Sequence, residues 1–173
     1  IVTKTIGIIG GMGPAATVDL FAKLVAATPA EADQDHLRIL IDNNPRVPNR
    51  NEAIAGRGPS PGPHLAAGAR GLEQAGADFL IIACNTAHAF KPEIEAAVSI
   101  PLLSMIDATV DAAIESGAQR VGVLAADGCR RARLYQNAFE ARGVDAVFLA
   151  DEAQQDFMTL ISRVRAGDVG DDV

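Results

Sequence analysis

Short apolar runs rich in β-branched residues recur at positions 6–9, 37–41, 79–83, 100–103, 121–125 and 144–149. They are apolar on successive residues rather than alternate ones, which predicts strands covered on both faces. Between them lie helix-like stretches at 15–27, 63–75, 90–98, 107–116, 131–142 and 152–166. Gly76, Gly117 and Gly143 each follow the last periodic residue of such a stretch and precede a strand, where a left-handed stop belongs. Strand and helix alternate throughout, so the pattern predicts an α/β fold with parallel sheet. The segment 76–84 is echoed by 117–125. Either the chain holds two similar α/β halves with a seam near Ser104 to Asp107, or helix-to-strand junctions simply look alike. The Gly- and Pro-rich stretch 56–63 reads as a surface loop ahead of a helix starting near Pro63.

Composition narrows the function classes. The chain has 173 residues, the length of one domain or two very small ones, and it is 49% hydrophobic and 21% charged, which excludes disorder and fibre. A formal charge of −7 disfavours nucleic acid and anionic membrane surfaces as partners. Apolar runs such as 79–84 fall far short of the ~20 residues of a bilayer-spanning helix, so no membrane association is expected. Two widely separated cysteines give neither a disulfide framework nor a zinc spacing, and a reducing cytoplasm is the expected location. No basic, apolar leader precedes the first strand. Ile1 in place of Met, and a tail at 167–173 with no further strand, suggest a reading frame longer than this chain. An incomplete second half would expose an apolar sheet edge and helix face, which predicts poor stability or association.

Four segments could carry chemistry. Gly10-Gly11-Met12-Gly13-Pro14 follows a strand and opens a helix. With Ala16 it satisfies the dinucleotide pattern G-x-G-x-x-A, and Asp42 ends the second strand where a ribose-binding acid would stand. Pro14 removes one N–H from that turn, so binding of a simple anion such as a carboxylate is the better reading. Cys84-Asn85-Thr86-Ala87-His88 puts a thiol at the end of a central strand. If Asn85 or Thr86 caps a following helix, the positive helix end favours the Cys84 thiolate; the bland reading is an inert buried cysteine. His88 could assist, although a histidine early in a helix is more often a filler. The loop 42–51 holds Arg46 and Arg50 and is stiffened by two prolines, suited either to gripping a carboxylate or to plain solvation. Cys129, in Ala126-Asp127-Gly128-Cys129, could be a second thiol facing the first or a small hydrogen-bonding residue at a turn.

In this order the segments resemble the aspartate/glutamate racemase family, and most closely its aspartate racemases. Gly10-Gly11-Met12-Gly13-Pro14 looks like the family's first loop, Asn43-Asn44-Pro45 through Val47-Pro48-Asn49-Arg50 like its second, and Cys84-Asn85-Thr86-Ala87-His88 like its first catalytic loop. The likeness extends along the whole chain, including Ser104-Met105-Ile106 and the helix end at 163–167. It implies two parallel-sheet α/β halves, 1–105 carrying Cys84 and 106–173 incomplete, with the active site in the cleft between them. It further implies no pyridoxal phosphate, no metal, and a homodimer when full length.

The family's chemistry uses two cysteines on opposite faces of the substrate α-carbon, one removing the proton as thiolate and the other returning one as thiol. The first maps onto Cys84. The second, in a Gly-Cys-Thr-Glu stretch, would lie past Val173, so the 173-residue chain by itself is expected to be inactive as a racemase. The resemblance also implies that Asn85 and Thr86 hold the α-carboxylate of an acidic amino acid, with Met12, Gly13 and Asn44 lining the site. Arg50 and Arg165 then meet the second carboxylate, and Cys129 stands where a substrate-holding threonine is usual. Asn49 replaces a common aspartate. Two other readings compete: a one-thiol decarboxylase or isomerase of the same fold, and a non-enzymatic anion- or nucleotide-binding α/β module.

Overall fold

The structure is a computed structural model that describes residues 4–168 and residue 170. Ile1 and most of the tail, Val169 and Asp171 to Val173, which enter the sequence reading, lie outside the described residues. Three strands, β1 (Ile6–Gly10), β2 (Ile39–Asn43) and β3 (Phe79–Ile82), form a parallel sheet in the order β2-β1-β3, with Ile6 opposite both Ile39 and Phe79. A second parallel sheet pairs β4 (Arg120–Val123) with β5 (Asp145–Phe148), Arg120 opposite Asp145. The helices are α1 (Pro14–Ala27), α2 (Arg50–Ile54), α3 (Gly62–Gln74), α4 (Lys91–Glu95), α5 (Met105–Glu115), α6 (Asp127–Arg131), α7 (Leu134–Glu140) and α8 (Asp151–Arg165). The α/β class expected from the alternation is the class observed.

Burial explains the order of the first sheet. β1 is buried at every position and lies in the middle, with Ile9 packed toward Leu65, Leu72 and Leu80 on one side and Ile6 and Ile8 toward Leu20 and Leu24 on the other. β1 alone meets the expectation of strands covered on both faces. β2 is an edge strand, and β4 and β5 alternate exposed and half-buried residues, with a single core of Ile106, Val110, Tyr135 and Phe139 beside them. Among the described residues, Val147 of β5 and Phe21 of α1 are exposed apolar side chains.

Three elements differ from the sequence pattern. Residues 100–103 make one isolated parallel bridge, Leu80 to Leu102, rather than a strand. Pro101 has no N–H to donate, so only its carbonyl joins β3, accepting from the Leu80 N–H at 2.8 Å. The stretch 131–142 is not one helix: Arg133 adopts φ +53, a left-handed conformation that separates α6 from α7. The loop 42–51 contains the start of α2, capped by Asn49, whose side-chain oxygen accepts from the N–H groups of Asn51 and Glu52. Gly76, Gly117 and Gly143 have φ of +96, +81 and +70, the left-handed stops the pattern implies.

The turn after β1 has no spare room. Gly11 has φ +89, and a Cβ there would overlap the Asn44 backbone. Gly11→Ala is therefore expected to cost at least about 2 kcal/mol in urea unfolding, from backbone strain plus the clash. Gly13, at φ −97 with open space around it, should tolerate alanine within about 1 kcal/mol in the same experiment.

Candidate active site

The ends of β1, β3 and β4 and one face of α8 enclose a cavity of about 480 Å³. It opens at the carboxyl ends of the strands, where open α/β sheets hold their ligands. Cys84, Asn85 and Thr86 reach it from the end of β3, Met12 and Gly13 from the turn before α1, Cys129 from α6 and Arg165 from the end of α8. Seven of the residues singled out in the sequence thus share one cavity.

Two do not. Arg50 is folded under the glycine turn: Nη1 donates to the carbonyls of Val47 (3.1 Å) and Pro48 (2.9 Å), and Nη2 donates to the Met12 carbonyl (3.4 Å). Its buried Nε has no partner. Here the guanidinium pins the second loop to the first instead of lining the cavity. Asn44 lies behind the turn, its N–H donating to the Gly10 carbonyl and its side-chain oxygen accepting from the Arg46 N–H.

The same turn weighs against a dinucleotide. The Gly11 N–H donates to Thr17 Oγ1 at 2.9 Å, so it is spent within the fold. Asp42 lines a different cleft, beside His64 and Gly68 of α3. What faces the cavity is the amino end of α1, where Gly13, Pro14, Ala15 and Ala16 contribute to the wall and no side chain caps the helix. Free backbone donors there favour a carboxylate or similar anion.

The loop 84–88 is held by side chains rather than by a helix. Asn85 does not cap: the residues after it form a short 3-10 turn, Thr86–Phe90, followed by the five-residue α4. A helix capped by Asn85 or Thr86, with its positive end near Cys84, does not form, and the helix-like stretch 90–98 shortens to α4, with Pro92 in its first turn. Asn85 Oδ1 instead accepts from the Tyr135 hydroxyl at 2.6 Å, and Thr86 Oγ1 lies 3.3 Å from Cys129 Sγ. Burial pushes the Cys129 thiol up to about 11; its contact with Thr86 and the charge of Arg165 act the other way, and charge on Cys84 acts with burial. Cys129 is therefore a thiol at neutral pH. Gly128 sits against this loop as well, its N–H donating to Asn51 Oδ1 at 2.8 Å, and a Cβ at 128 would run into Asn51 and Thr86.

His88 turns out to be structural. It is 5% exposed; Nδ1 faces the carbonyls of Cys84 (3.0 Å) and Asn85 (3.2 Å), and Nε2 accepts from the Met105 N–H at 3.2 Å. These contacts require a neutral ring protonated at Nδ1, and burial holds its pKa below the usual value, opposed by those carbonyls. It ties the loop to the start of α5.

Sequence reading missed Tyr135 and the apolar wall of α8, formed by Phe157, Leu160, Ile161 and Val164. Spacing of three and four residues marks that stripe as a buried helix face, but does not say whether it packs on protein or on a cavity. Arg165 is the one charged side chain among the described residues that line the cavity. Among the described residues no group of three or more His, Cys, Asp or Glu side chains could hold a metal ion, and no helix is long and apolar enough to cross a membrane.

Comparison with known proteins places this geometry. A family model described as Asp/Glu/hydantoin racemase matches residues 9–171. The chain is 29% identical over 174 residues to a broad-specificity amino-acid racemase of Bacillus subtilis (strain 168), covering 92% of this chain and 70% of that protein. Among solved structures it is similar to an aspartate racemase of Picrophilus torridus, at 36% identity and a TM-score of 0.87, covering 95% of this chain and 69% of that one. An aspartate racemase homologue from Pyrococcus horikoshii OT3 matches at 26% identity and a TM-score of 0.73, covering 92% and 70%.

The His88 contacts generate a pH dependence. A group whose folded pKa is depressed contributes stability that is present above its unfolded value, here 6.5, and lost as the pH falls through the lowered one. Urea midpoints should thus decline below pH 6.5. His88→Ala should flatten that decline while costing about 2 kcal/mol at pH 7.5, because the Met105 N–H and the Cys84 carbonyl lose their partner.

Proposed function

We propose, because the chain belongs to the Asp/Glu/hydantoin racemase family, that it acts on aspartate or a related acidic amino acid, with Cys84 as the base that removes the α-proton. The observation that carries this reading is the opening of Cys84 into a cavity whose polar lining also includes Asn85, Thr86 and Arg165.

The α-proton of an amino acid is a poor acid, and a base alone does not suffice. As the Cys84 thiolate takes the proton, the electron pair left on the α-carbon moves into the carboxylate, which becomes an enediolate. Donors aimed at those oxygens stabilise the developing charge. Asn85, Thr86 and the N–H groups at the start of α1 serve this purpose. Arg165 holds the distal carboxylate, its planar guanidinium matching a carboxylate fork. The apolar wall of α8 excludes water and strengthens each of these contacts. Arg50 acts at one remove, by keeping the Met12 turn in place.

Inversion needs a second acid on the opposite face of the α-carbon. Cys129 is better suited to binding than to returning that proton, because it is 1% exposed, bonded to Thr86, and held as a thiol with its pKa pushed up to about 11. Cys84 by itself exchanges the α-proton on one face only. The chemistry draws on no pyridoxal phosphate and no metal, and the working form is a cytoplasmic homodimer.

In deuterium oxide the protein should introduce deuterium at the α-carbon of aspartate, followed by mass spectrometry, and Cys84→Ala should abolish the exchange. Exchange that persists in Cys84→Ala would overturn the reading. Arg165→Leu should weaken aspartate binding, measured by calorimetric titration, by roughly 10- to 100-fold, the range for hydrogen bonds to a charged group.

A further inference from the structure

Tyr135 has a place in the cavity that neither its sequence context nor the proton transfer accounts for. Its ring belongs to the second core, with its centroid 6.5 Å from that of Phe139 and the planes 29° apart. Its hydroxyl crosses from α7 to the loop after β3 and donates to Asn85 Oδ1 at 2.6 Å. Both residues line the cavity.

A primary amide has two unlike ends, an oxygen that only accepts and a nitrogen that only donates. In water the two exchange places by rotation about the last side-chain bond. Beside an anion only one orientation is useful, since the oxygen end would repel a carboxylate. The observed contact makes the choice: the Tyr135 hydroxyl, whose pKa burial pushes up against the opposing effect of a contact with Thr109, gives its hydrogen to the amide oxygen. With Oδ1 held by α7, the Nδ2 donors are left for the cavity.

The neighbouring pair repeats the pattern. Cys129, from the adjoining α6, is a thiol at neutral pH and can give its hydrogen to Thr86 Oγ1, which frees the threonine hydroxyl hydrogen for the cavity. The loop that carries Cys84 thus meets the α6–α7 pair through two successive side-chain contacts. Each leaves a donor toward the ligand.

We propose that Tyr135 is a positioning residue that fixes the amide of Asn85 with its N–H2 end toward the cavity, so that the substrate α-carboxylate meets donors prepared before it arrives. This rests on the racemase reading above. Preorganised donors gain affinity because no rotation need be frozen on binding.

The test is a double-mutant cycle on the full chain, with L-aspartate as titrant in a calorimeter. Tyr135→Phe removes one oxygen and keeps the ring against Phe139; it should weaken binding about 5- to 10-fold, the loss of one oriented hydrogen bond. Asn85→Ala should weaken it at least as much. In the double variant the losses should not multiply, because the proposed effect of Tyr135 on the ligand runs through Asn85. Multiplying losses, or Tyr135→Phe binding within twofold of wild type, would overturn the proposal while leaving the racemase reading intact. A wild-type chain that takes up no acidic amino acid would sink both. Should Tyr135→Phe not fold, Asn85→Asp with Tyr135 in place keeps the acceptor and removes the cavity donors. A loss of more than about 100-fold is then expected, and wild-type affinity would overturn the assignment.

Discussion

The molecule depends first on the close approach of Gly11 to the backbone of Asn44. The turn after β1 must come down on the second loop closely enough that no side-chain carbon fits between them. That proximity places the Met12 carbonyl within reach of Arg50, which in turn holds the carbonyls of Val47 and Pro48. Thr17 locks the other side by accepting from the Gly11 N–H. The amino end of α1 is thereby directed at the cavity. A looser turn would leave that end free to swing, and the donors around the ligand would no longer converge.

Charge is distributed with the same economy. The chain carries a formal −7, yet the described residues that line the cavity include a single charged side chain, and it is cationic. The other cation expected there, Arg50, faces backbone carbonyls. Three of its five donors meet carbonyls and its Nε is buried, so the group is committed to the fold rather than to the cavity. The exposed ion pairs, such as Arg57 with Glu52 and Lys23 with Asp19, lie away from the cavity and contribute little to stability.

Much of this was legible in the sequence, for reasons that differ from segment to segment. The strands at 6–10 and 79–82 announced themselves as uninterrupted apolar runs, and the glycines at 76, 117 and 143 as helix stops, because each signal is local. The two loops that line the cavity, the Gly-Gly turn and the Cys-Asn-Thr segment, stand out because each directly follows a strand. What could not be found depended on long-range partners. Arg50 reads as a ligand-binding cation until its distance to Met12 is known, 38 positions away. His88 reads as a helper of Cys84 until Met105 is seen to occupy its far nitrogen. Tyr135 stands 50 positions from Asn85, in a segment whose only local message is that it is helical. Pro101 was visible, but its effect on a strand of four residues became clear only beside β3.

Gly128 shows how the width of the cleft is determined. Its α-carbon rests against Asn51 and Thr86, so the segments that carry α6 and Cys84 meet with bare backbone on one side of the seam. Even the smallest side chain at that point would act as a wedge, prying Cys129 from Thr86 and enlarging the aperture through which a ligand is gripped. The calibre of the binding chamber is thus governed by an omitted methyl group, at a position that itself lies outside the chamber wall.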